Sequence, residues 1–401
     1  MNILYSFPHK LGASRICYTA WQKVNGLAAA GADVLVCPGA VSRSVPTEVR
    51  VWPTLAWGKL RIPYKLLGSM RAFALHDLVV SRRLEKLVGK IDIIHTWPLG
   101  ALLTLKTAAR LGIPTVLERP NAHTRFAYQV VKDECERLGV KLPAGHEHAY
   151  KDDILAKEET EYELASRLLC PSDFVARTFR DRGVPNDRLA RHQYGFDDQV
   201  FTPNHKESQG DSGLTVLFVG GAAPRKGLHY ALEAWLDSTA SQTGKFLIAG
   251  HFIPGYAERL NAMLTQPSVS VLGHRTDVAE LMRMSDILVL PSIEEGSALV
   301  TYEARGCGCV LLVSDAAGAV CRNLENALVH QVGDVRTLAK HFTMLNDDRA
   351  QLVRLRSASI STAHEITWAA AGERLLNVYR ETIEMHAKYQ QDKGVAVPAL
   401  L

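Results

Sequence analysis

Short apolar runs alternate with amphipathic segments along the whole chain, and this alternation constrains the fold more than any other feature. Many of the runs are rich in branched aliphatic residues, as expected of strands buried on both faces of a sheet. The segments between them, such as 18–30 and 227–239, have the apolar spacing of helices. This order of elements predicts right-handed βαβ units and parallel sheets. The predicted strands cover residues 3–7, 33–37, 91–96, 115–118, 168–171, 216–220, 246–250, 268–273, 287–291 and 309–314.

The length of the chain and one polar interruption predict two domains. The 401 residues fit about two domains of ordinary size. Residues 204–213 are polar, contain glycine and serine, and directly precede the strongest strand of the second half. We therefore predict doubly wound domains at 1–203 and 214–365, joined by the linker 204–213. The remaining segment, 366–401, is predicted to be a helix that packs back toward the first domain, followed by a tail.

Charge and cysteine usage exclude several classes of protein. Lys and Arg total 46 against 42 Asp and Glu, a net charge of +4, which does not indicate a nucleic-acid partner. The seven cysteines are odd in number and scattered, which favours a reducing compartment over a disulfide framework. The start of the chain lacks a basic region before its apolar stretch, and no apolar run approaches the roughly 20 residues that span a bilayer. We expect a cytoplasmic protein.

The segment after the first predicted strand of the second half resembles an anion site. Gly220 and Gly221 are small enough to let backbone amides approach a phosphate, and a helix follows. Arg225 and Lys226 add two cations suited to a diphosphate. A plain strand–turn–helix with solvated cations fits the same spacing equally well.

A second candidate site follows the predicted strand 287–291. Glu295 lies in the loop and Glu303 about two turns into the next predicted helix, where carboxylates can accept hydrogen bonds from sugar hydroxyls. In the alternative interpretation, Glu294 and Glu295 only offset the dipole of that helix, which is at least as good an account of Glu294. Backbone amides that lie where a helix N-terminus would bind phosphate belong to Gly296, Ser297, Ala298 and Leu299.

These motifs, in this order, resemble the signature of retaining GT-B glycosyltransferases of family 4, also called glycosyl transferases group 1. The central element is a pair of glutamates, Glu295 and Glu303, with seven residues between them. The first domain resembles the family more loosely, through its strand rhythm and residues 92–95. The resemblance implies two Rossmann-like doubly wound domains that face each other across an interdomain cleft. Further matching stretches are 195–203, 218–235, 273–287 and 367–379.

The resemblance also implies roles for individual residues. Lys226 would bind the donor diphosphate, Glu303 the ribose hydroxyls of the nucleotide, and Glu295 would lie near the donor sugar. In the first domain, Gly12 would approach the sugar or phosphate, and His123 resembles a family histidine near the donor sugar. An ordinary loop at Gly12 and a structural histidine at position 123 are the alternatives, and the residues do not decide between them.

The chain departs from the family pattern at two places. The usual family arginine falls at Gly221 or Ala222, so that Arg225 would have to substitute for it from a neighbouring position. The Gly-Phe-Gly that often follows the first glutamate is Gly296-Ser297-Ala298 here. The loss of a glycine narrows backbone freedom near the phosphate without removing the amides.

One segment of the first half bears on location. Residues 57–73 interleave aromatic, aliphatic and basic side chains and contain no acid, as interfacial membrane segments do. A solvated basic helix is the alternative, and the residues favour it slightly. Peripheral contact at the inner face of a membrane therefore stays open.

Together these features predict a glycosyltransferase that moves a hexose-like unit from a nucleotide-diphosphate sugar to a hydroxyl of a glycan, lipid or small molecule. The resemblance implies retention of anomeric configuration and a role in glycan, lipopolysaccharide or glycolipid biosynthesis. Lys226, Arg225 and the amides after Glu295 would stabilise charge on the leaving phosphate. No acidic metal-binding pair stands out, so we expect no divalent metal and no other cofactor. The alternative is a non-catalytic GT-B partner subunit that binds sugar nucleotides.

Overall fold

The computed structural model describes residues 1–57, 60–61, 67–203 and 213–392, apart from the side chains of residues 57, 60 and 61. Within this part of the chain, every helix is too short or too polar to cross a membrane. All seven cysteines belong to it and carry free thiols. Parts of the predicted linker, basic segment and tail lie outside the described residues, namely 204–212, 58–59, 62–66 and 393–401.

The first sheet is built from the first half of the chain. Its neighbouring strands are all parallel within the described residues, in the order β3-β2-β1-β6-β7-β8-β9. A separate antiparallel pair joins β4 and β5. The strands are β1 Asn2–Leu11, β2 Asp33–Val41, β3 Arg50–Val51, β4 Ala56–Trp57, β5 Leu60–Arg61, β6 Ile93–Thr96, β7 Thr115–Glu118, β8 Arg167–Cys170 and β9 Leu189–Arg191.

The second sheet repeats this architecture in the second half of the chain. Its described strands are also parallel, in the order β12-β11-β10-β13-β14-β15. The chain reverses its direction of winding between β10 and β13, where doubly wound sheets bind ligands beyond the carboxyl ends of their strands. The strands are β10 Thr215–Val219, β11 Lys245–Ala249, β12 Val269–Gly273, β13 Ile287–Leu290, β14 Val310–Ser314 and β15 Ala327–His330.

Helices connect the strands, and together with the two parallel sheets they confirm the predicted α/β fold class. Several begin at side-chain caps, such as Ser172, whose hydroxyl accepts a hydrogen bond from Val175 N at 3.2 Å. The α-helices are α1 Ile16–Ala29, α2 Ser69–Leu84, α3 Leu102–Leu111, α4 Thr124–Leu138, α5 Asp152–Leu164, α6 Asp173–Arg180, α7 Leu228–Asp237, α8 Tyr256–Leu264, α9 Val278–Met284, α10 Leu299–Gly306, α11 Val335–Asp347, α12 Arg349–Ser361 and α13 Trp368–Asp392.

Every predicted strand overlaps an observed one, and β7 matches at both ends. The prediction missed β9 and β15, which are edge strands of their sheets, and the short β3, β4 and β5. These strands have two to four residues. An apolar run of that length is too short to be recognised without its sheet partners.

Helix α13 returns from the second half and packs on the first. Gly372 of α13 and Gly26 of α1 lie so close that a Cβ at Gly372 would overlap the Gly26 backbone, and a Cβ at Gly26 would lie 3.1 Å from Gly372 Cα. Leu375 and Tyr379 belong to the same apolar core as β1 and α1. The Tyr379 hydroxyl also lies 2.6 Å from Nδ1 of the buried His95.

Candidate functional site

The carboxyl ends of β10 and β13 bring the two candidate motifs of the second half together. The chain after β10 forms a short 3₁₀ helix, Pro224–Lys226, and the chain after β13 forms the loop that carries the acidic residues. The backbone joins the two segments, because Ile293 N donates to the Arg225 carbonyl at 2.9 Å. Since β10 and β13 are neighbours in the sheet, this contact follows from the topology.

Two cations and two carboxylates form an ion cluster at this place. Lys226 Nζ pairs with Glu295 Oε1, and Arg225 Nη1 lies 3.0 Å from the same oxygen. Arg225 Nη1 also lies 3.3 Å from Glu294 Oε2 and donates to the Glu294 carbonyl at 2.9 Å. The predicted ligands Arg225, Lys226 and Glu295 thus meet in one cluster.

Burial and mutual pairing set the protonation of the cations. Burial lowers the pKa of Lys226, and the Glu295 carboxylate offsets part of that effect. Burial also disfavours the charge of Arg225, but the carboxylates of Glu295 and Glu294 outweigh it and raise the pKa of Arg225. The two carboxylates thus favour the charged form of both cations, against the effect of burial.

Glu294 connects this cluster to the first half of the molecule. Its Oε1 accepts a hydrogen bond from Ala122 N at 3.1 Å, and its Oε2 lies 3.2 Å from His148 Nε2. Burial opposes ionisation, but the His148 hydrogen bond and the Arg225 charge prevail and lower the pKa of Glu294 to about 2. The expectation that Glu294 offsets a helix dipole is wrong, because α10 begins only at Leu299.

Little in the sequence points to these first-half partners. The segment 146–148 has the composition of a polar surface segment, yet His148 is buried. The one feature of this segment that could have indicated a role in the site is its pair of histidines, His146 and His148. The contribution of Ala122 is a backbone N–H, for which no residue type in the sequence gives a signal.

The loop after Glu295 is pressed against the first half. A Cβ at Gly296 would overlap the Pro120 carbonyl, and the Ser172 hydroxyl donates to the Gly296 carbonyl at 2.6 Å. Ser297 Oγ lies 2.7 Å from the Tyr302 hydroxyl and donates to the Gly318 carbonyl at 2.9 Å. Glycine at 296 is therefore required by close packing between the two halves.

Ala298 and Leu299 form the start of α10. Ala298 occupies the N-cap position and supplies no capping side chain. Its own N–H reaches the Ala317 carbonyl at 3.4 Å. The amide of Ala298, which was predicted to contact phosphate, therefore already has a backbone partner, three residues after Glu295 in the chain.

Glu303 lies on α10, four residues after Leu299, and is half-buried. Burial raises the pKa of Glu303 to about 7. Among the described residues, no side chain donates a hydrogen bond to its carboxylate or forms an ion pair with it. Burial chiefly, and the charge of Glu303 as a smaller contribution, raise the pKa of Tyr18 on α1. The hydrogen-bonding capacity of the Glu303 carboxylate is thus unused within the described residues.

The three predicted glycines differ in their surroundings. Gly220 N donates to the Ala249 carbonyl at 3.0 Å, and its φ of 145° is one that side chains rarely adopt. Gly221 is exposed, and a Cβ there would meet no neighbouring atom within 4 Å. Gly12, with a φ of 79°, has the Arg43 side chain packed directly over it. Of the three, Gly220 lies beside Lys226, since a Cβ there would be 3.9 Å from Lys226 Cε, whereas Gly12 lies after the end of β1 beneath a cation.

His123 is placed as a helix cap. Its Nδ1 accepts a hydrogen bond from Arg125 N at 3.2 Å at the start of α4, and its ring packs on Tyr162 and Phe179. Burial and the nearby charge of Arg119 lower the pKa of His123 to about 3. No contact in the described residues joins its ring to Lys226 or Glu295, although its neighbour Ala122 binds Glu294.

Comparison with known proteins shows the family. The family model described as Glycosyltransferase Family 4 matches residues 18–200, and that of glycosyl transferases group 1 matches residues 213–348. D-inositol 3-phosphate glycosyltransferase 1 of Catenulispora acidiphila is 33% identical over 385 residues, which cover 88% of this chain and 83% of that protein. The chain belongs to glycosyltransferase family 4.

Two further comparisons place this family 4 glycosyltransferase among its relatives. The N,N'-diacetylbacillosaminyl-diphospho-undecaprenol alpha-1,3-N-acetylgalactosaminyltransferase of Campylobacter jejuni is 29% identical over 236 residues. That match covers 56% of this chain and 62% of the relative, which is less than two thirds of its length. The structure of Anabaena HepE in complex with UDP superposes with a TM-score of 0.63 at 16% identity, over 95% of this chain and 100% of that one. The fold is therefore GT-B, as predicted.

This glycosyltransferase also has a separate groove between its halves. A cavity of about 490 Å³ opens between α4, α6 and the ends of β14 and β15. Apolar residues such as Phe126, Phe174 and Ile293 line it, and its charged side chains include Arg177, which pairs with Asp315 at 3.0 Å. None of the clustered cations or carboxylates, Arg225, Lys226, Glu294 and Glu295, is among the residues that line it.

Proposed function

We propose that this glycosyltransferase moves a sugar from a nucleotide-diphosphate sugar to an acceptor hydroxyl with retention of anomeric configuration. The observation that carries the proposal is the meeting of Lys226, Arg225 and Glu295 beside the start of α10. A diphosphate needs fixed positive charge and amides, and a sugar needs hydrogen-bond acceptors such as carboxylates. This edge of the second sheet holds both.

The leaving group explains why the cations matter. As the bond from the anomeric carbon to the β-phosphate oxygen breaks, negative charge grows on that phosphate. The acceptor oxygen bonds to the anomeric carbon on the same face, and its proton passes to the leaving phosphate. Lys226 and Arg225, held in a site that excludes most water, stabilise the growing charge. A bound diphosphate replaces Glu295 as the partner of Lys226, which frees Glu295 to accept hydrogen bonds from the donor sugar.

Glu303 is proposed to bind the ribose of the donor nucleotide. Its carboxylate has no hydrogen-bonding partner in the described residues and lies one helical turn beyond the start of α10. A vicinal diol donates two hydrogen bonds, which a carboxylate accepts well. Binding a diol favours the ionised form, so nucleotide affinity should increase as the pH rises through about 7, the pKa of Glu303.

We further propose that the reaction needs neither a divalent metal nor another cofactor, since two cations already face the diphosphate position. Nucleoside diphosphate release from a panel of sugar nucleotides should therefore be measured with and without EDTA. Turnover that EDTA leaves unchanged supports a reaction without a metal. Activity that disappears with EDTA and returns with Mg²⁺ or Mn²⁺ contradicts it.

A non-catalytic partner subunit is the second candidate. It is favoured by the absence of the usual family arginine, whose place is taken by Gly221 or Ala222, and by Ser297-Ala298 after the first glutamate. The retained Lys226, Glu295 and Glu303 argue against it. A protein of this kind would bind sugar nucleotides without consuming them.

The experiment that separates the two candidates is release of nucleoside diphosphate from a panel of sugar nucleotides, with and without acceptors. Release that Lys226→Ala abolishes supports the enzyme, and NMR of the product anomer tests retention. Binding of a sugar nucleotide in a thermal-shift assay, with no release for any donor and acceptor pair, supports the partner subunit. An inverted anomer would contradict retention alone.

The acceptor and the pathway are proposed only by class. The Campylobacter relative is named for a diphospho-undecaprenol substrate and the Catenulispora relative for inositol 3-phosphate. We propose an acceptor of the glycan, lipid or small-molecule type in glycan, lipopolysaccharide or glycolipid biosynthesis. Acceptor panels should therefore include phosphorylated polyols and lipid-linked sugars.

Peripheral membrane contact through residues 57–73 is part of the proposal, with a cytoplasmic location at the inner face of the membrane. Residues 58–59 and 62–66 of this segment lie outside the described residues, while Arg71 at the start of α2 is exposed. Replacing Lys59, Arg61 and Lys65 together by alanine should reduce binding to anionic liposomes in a flotation assay. Equal flotation of the variant and the wild-type chain would contradict the contact.

A further inference from the structure

Glu294 touches both halves of the molecule with one carboxylate. From the first half it contacts Ala122 N at 3.1 Å and His148 Nε2 at 3.2 Å, and from the second half Arg225 Nη1 at 3.3 Å. The side chain is fully buried. A buried carboxylate is stable only when such partners surround it. The contacts of Glu294 therefore depend on the two halves being closed.

Arg225 has little freedom of its own. A single nitrogen, Nη1, contacts the Glu294 carbonyl, the Glu294 carboxylate and Glu295 Oε1. Its backbone carbonyl accepts from Ile293 N at 2.9 Å. The 3₁₀ helix Pro224–Lys226 and the acidic loop are therefore tied to each other, and Glu294 is the member of that unit that reaches across the boundary.

We infer that Glu294 is a positioning residue that couples closure of the two halves to the placement of Arg225 and Glu295. When the halves are apart, the carboxylate has Arg225 and water as partners. When they meet, Ala122 and His148 fix its orientation, and with it the guanidinium and the loop. The consequence for turnover rests on the proposed function, whereas the consequence for closure does not.

The first test is Glu294→Gln. The amide oxygen still accepts from Ala122 N, but its NH₂ replaces the oxygen that faces His148 and Arg225, and the negative charge is lost. We expect kcat to fall about 10- to 100-fold, as for loss of charged hydrogen bonds, with the donor KM and the affinity for nucleoside diphosphate changed less than about threefold. A residue that only supports the fold would not produce this separation of kcat from KM.

The second test measures closure without turnover. Small-angle X-ray scattering should give a larger radius of gyration for Glu294→Gln than for the wild-type chain. His148→Phe removes the same hydrogen bond from the other side while keeping a ring, and the double variant should be no worse than Glu294→Gln alone. Glu159→Gln is the matched control, because it breaks an exposed pair with Arg125 in the first half; it should leave kcat and the radius unchanged.

The outcomes are distinguishable. A Glu294→Gln variant as compact as the wild-type chain, or one whose kcat stays within twofold, overturns the inference. If Glu294→Gln fails to fold, His148→Phe is judged by the same two criteria. If the wild-type chain releases no nucleoside diphosphate from any donor, the proposed function fails, and the radius of gyration alone decides the role of Glu294.

Discussion

Two lysine–glutamate pairs in this glycosyltransferase have the same chemistry and opposite surroundings. Lys23 pairs with Glu118 in the core of the first half, with side chains 2% and 0% exposed. Lys226 pairs with Glu295 at the edge of the second sheet, with side chains 16% and 8% exposed. The first pair is sealed from solvent, and the second remains within reach of a ligand.

The sealed pair is surrounded by partners on every side. Glu118 also faces His95 Nε2 at 3.4 Å and His192 Nε2 at 3.2 Å and accepts from the Tyr194 hydroxyl at 2.9 Å. Burial lowers the pKa of Lys23 to about 8, and the Glu118 charge counteracts it. Because each Glu118 oxygen already has partners, an incoming anion or sugar has no place to bind.

The open pair differs in how its charges are shared. Glu295 Oε1 faces both Lys226 and Arg225, so the two cations share one carboxylate oxygen. Such an arrangement can exchange a carboxylate for a phosphate without leaving a buried charge alone. A buried ion pair therefore indicates function only where a ligand can replace one of its partners.

The two regions are linked. Tyr194, which donates to Glu118, also donates its backbone N–H to the Tyr302 hydroxyl at 3.3 Å. That hydroxyl lies 2.7 Å from Ser297 Oγ in the loop after Glu295. The sealed cluster therefore supports the segment that carries the open pair.

The largest expected effect is on the free energy of unfolding, to which the sealed pair should contribute far more than the open pair. Lys23→Met leaves Glu118 buried without its main counter-charge, and should cost about 3–5 kcal/mol in the free energy of unfolding. Chemical denaturation measures this free energy. The control is Lys132→Met, because Lys132 forms an exposed pair with Glu136 on the same helix. The control should change stability by less than about 0.5 kcal/mol. A cost below about 1 kcal/mol for Lys23→Met would contradict the structural role of the sealed pair.

Lys226→Ala should act on the reaction instead. The charge it meets grows in the transition state, so kcat should fall about 100-fold or more while the donor KM changes much less. Steady-state kinetics measures both constants, and thermal unfolding should show a small change because Arg225 still pairs with the Glu295 carboxylate. Losses of equal size in binding and turnover would remove the role assigned to Lys226. Lys132→Ala is the control.

Glu303→Ala tests the carboxylate that has no counter-charge in the described residues. Loss of hydrogen bonds to a charged acceptor should weaken binding of nucleoside diphosphate about 10-fold. Isothermal titration calorimetry measures it, with the exposed Glu258 on α8 changed to alanine for comparison. Equal affinities of Glu303→Ala and the wild-type chain would refute the ribose contact.

The smallest effect concerns pH. The pKa of Glu303 is about 7 in the folded chain against an ordinary 4.5, so between these values the folded state binds more protons and stability falls as the pH rises. Glu303→Gln removes this loss. Its Tm should therefore exceed that of the wild-type chain at pH 8 by about 2–4 °C, as for about 1 kcal/mol in a domain of this size. The difference in Tm between the two chains should disappear at pH 4.5. A difference that does not depend on pH would contradict the raised pKa of Glu303.

Much of the fold follows from local pattern. The runs that became β7, β10 and β13 have lengths and branched residues that only buried parallel strands explain. The rule that ligands bind beyond strand ends then directs attention to Lys226 and Glu295 before any coordinates. The sequence pattern did not predict the edge strands β9 and β15, because their pairing, rather than their composition, makes them strands.

The sequence by itself determined the two parallel sheets, the family, and which residues of the second half carry charge at the strand ends. These features depend on residue type and spacing along one element. The tertiary structure alone decided that Glu294 joins the halves, that His148 is buried, and that Lys23 meets Glu118. These contacts join residues far apart in the chain, and one uses a backbone N–H. Their physical cause is tertiary packing, between the halves for Glu294 and within the first half for Lys23 and Glu118, rather than any local pattern.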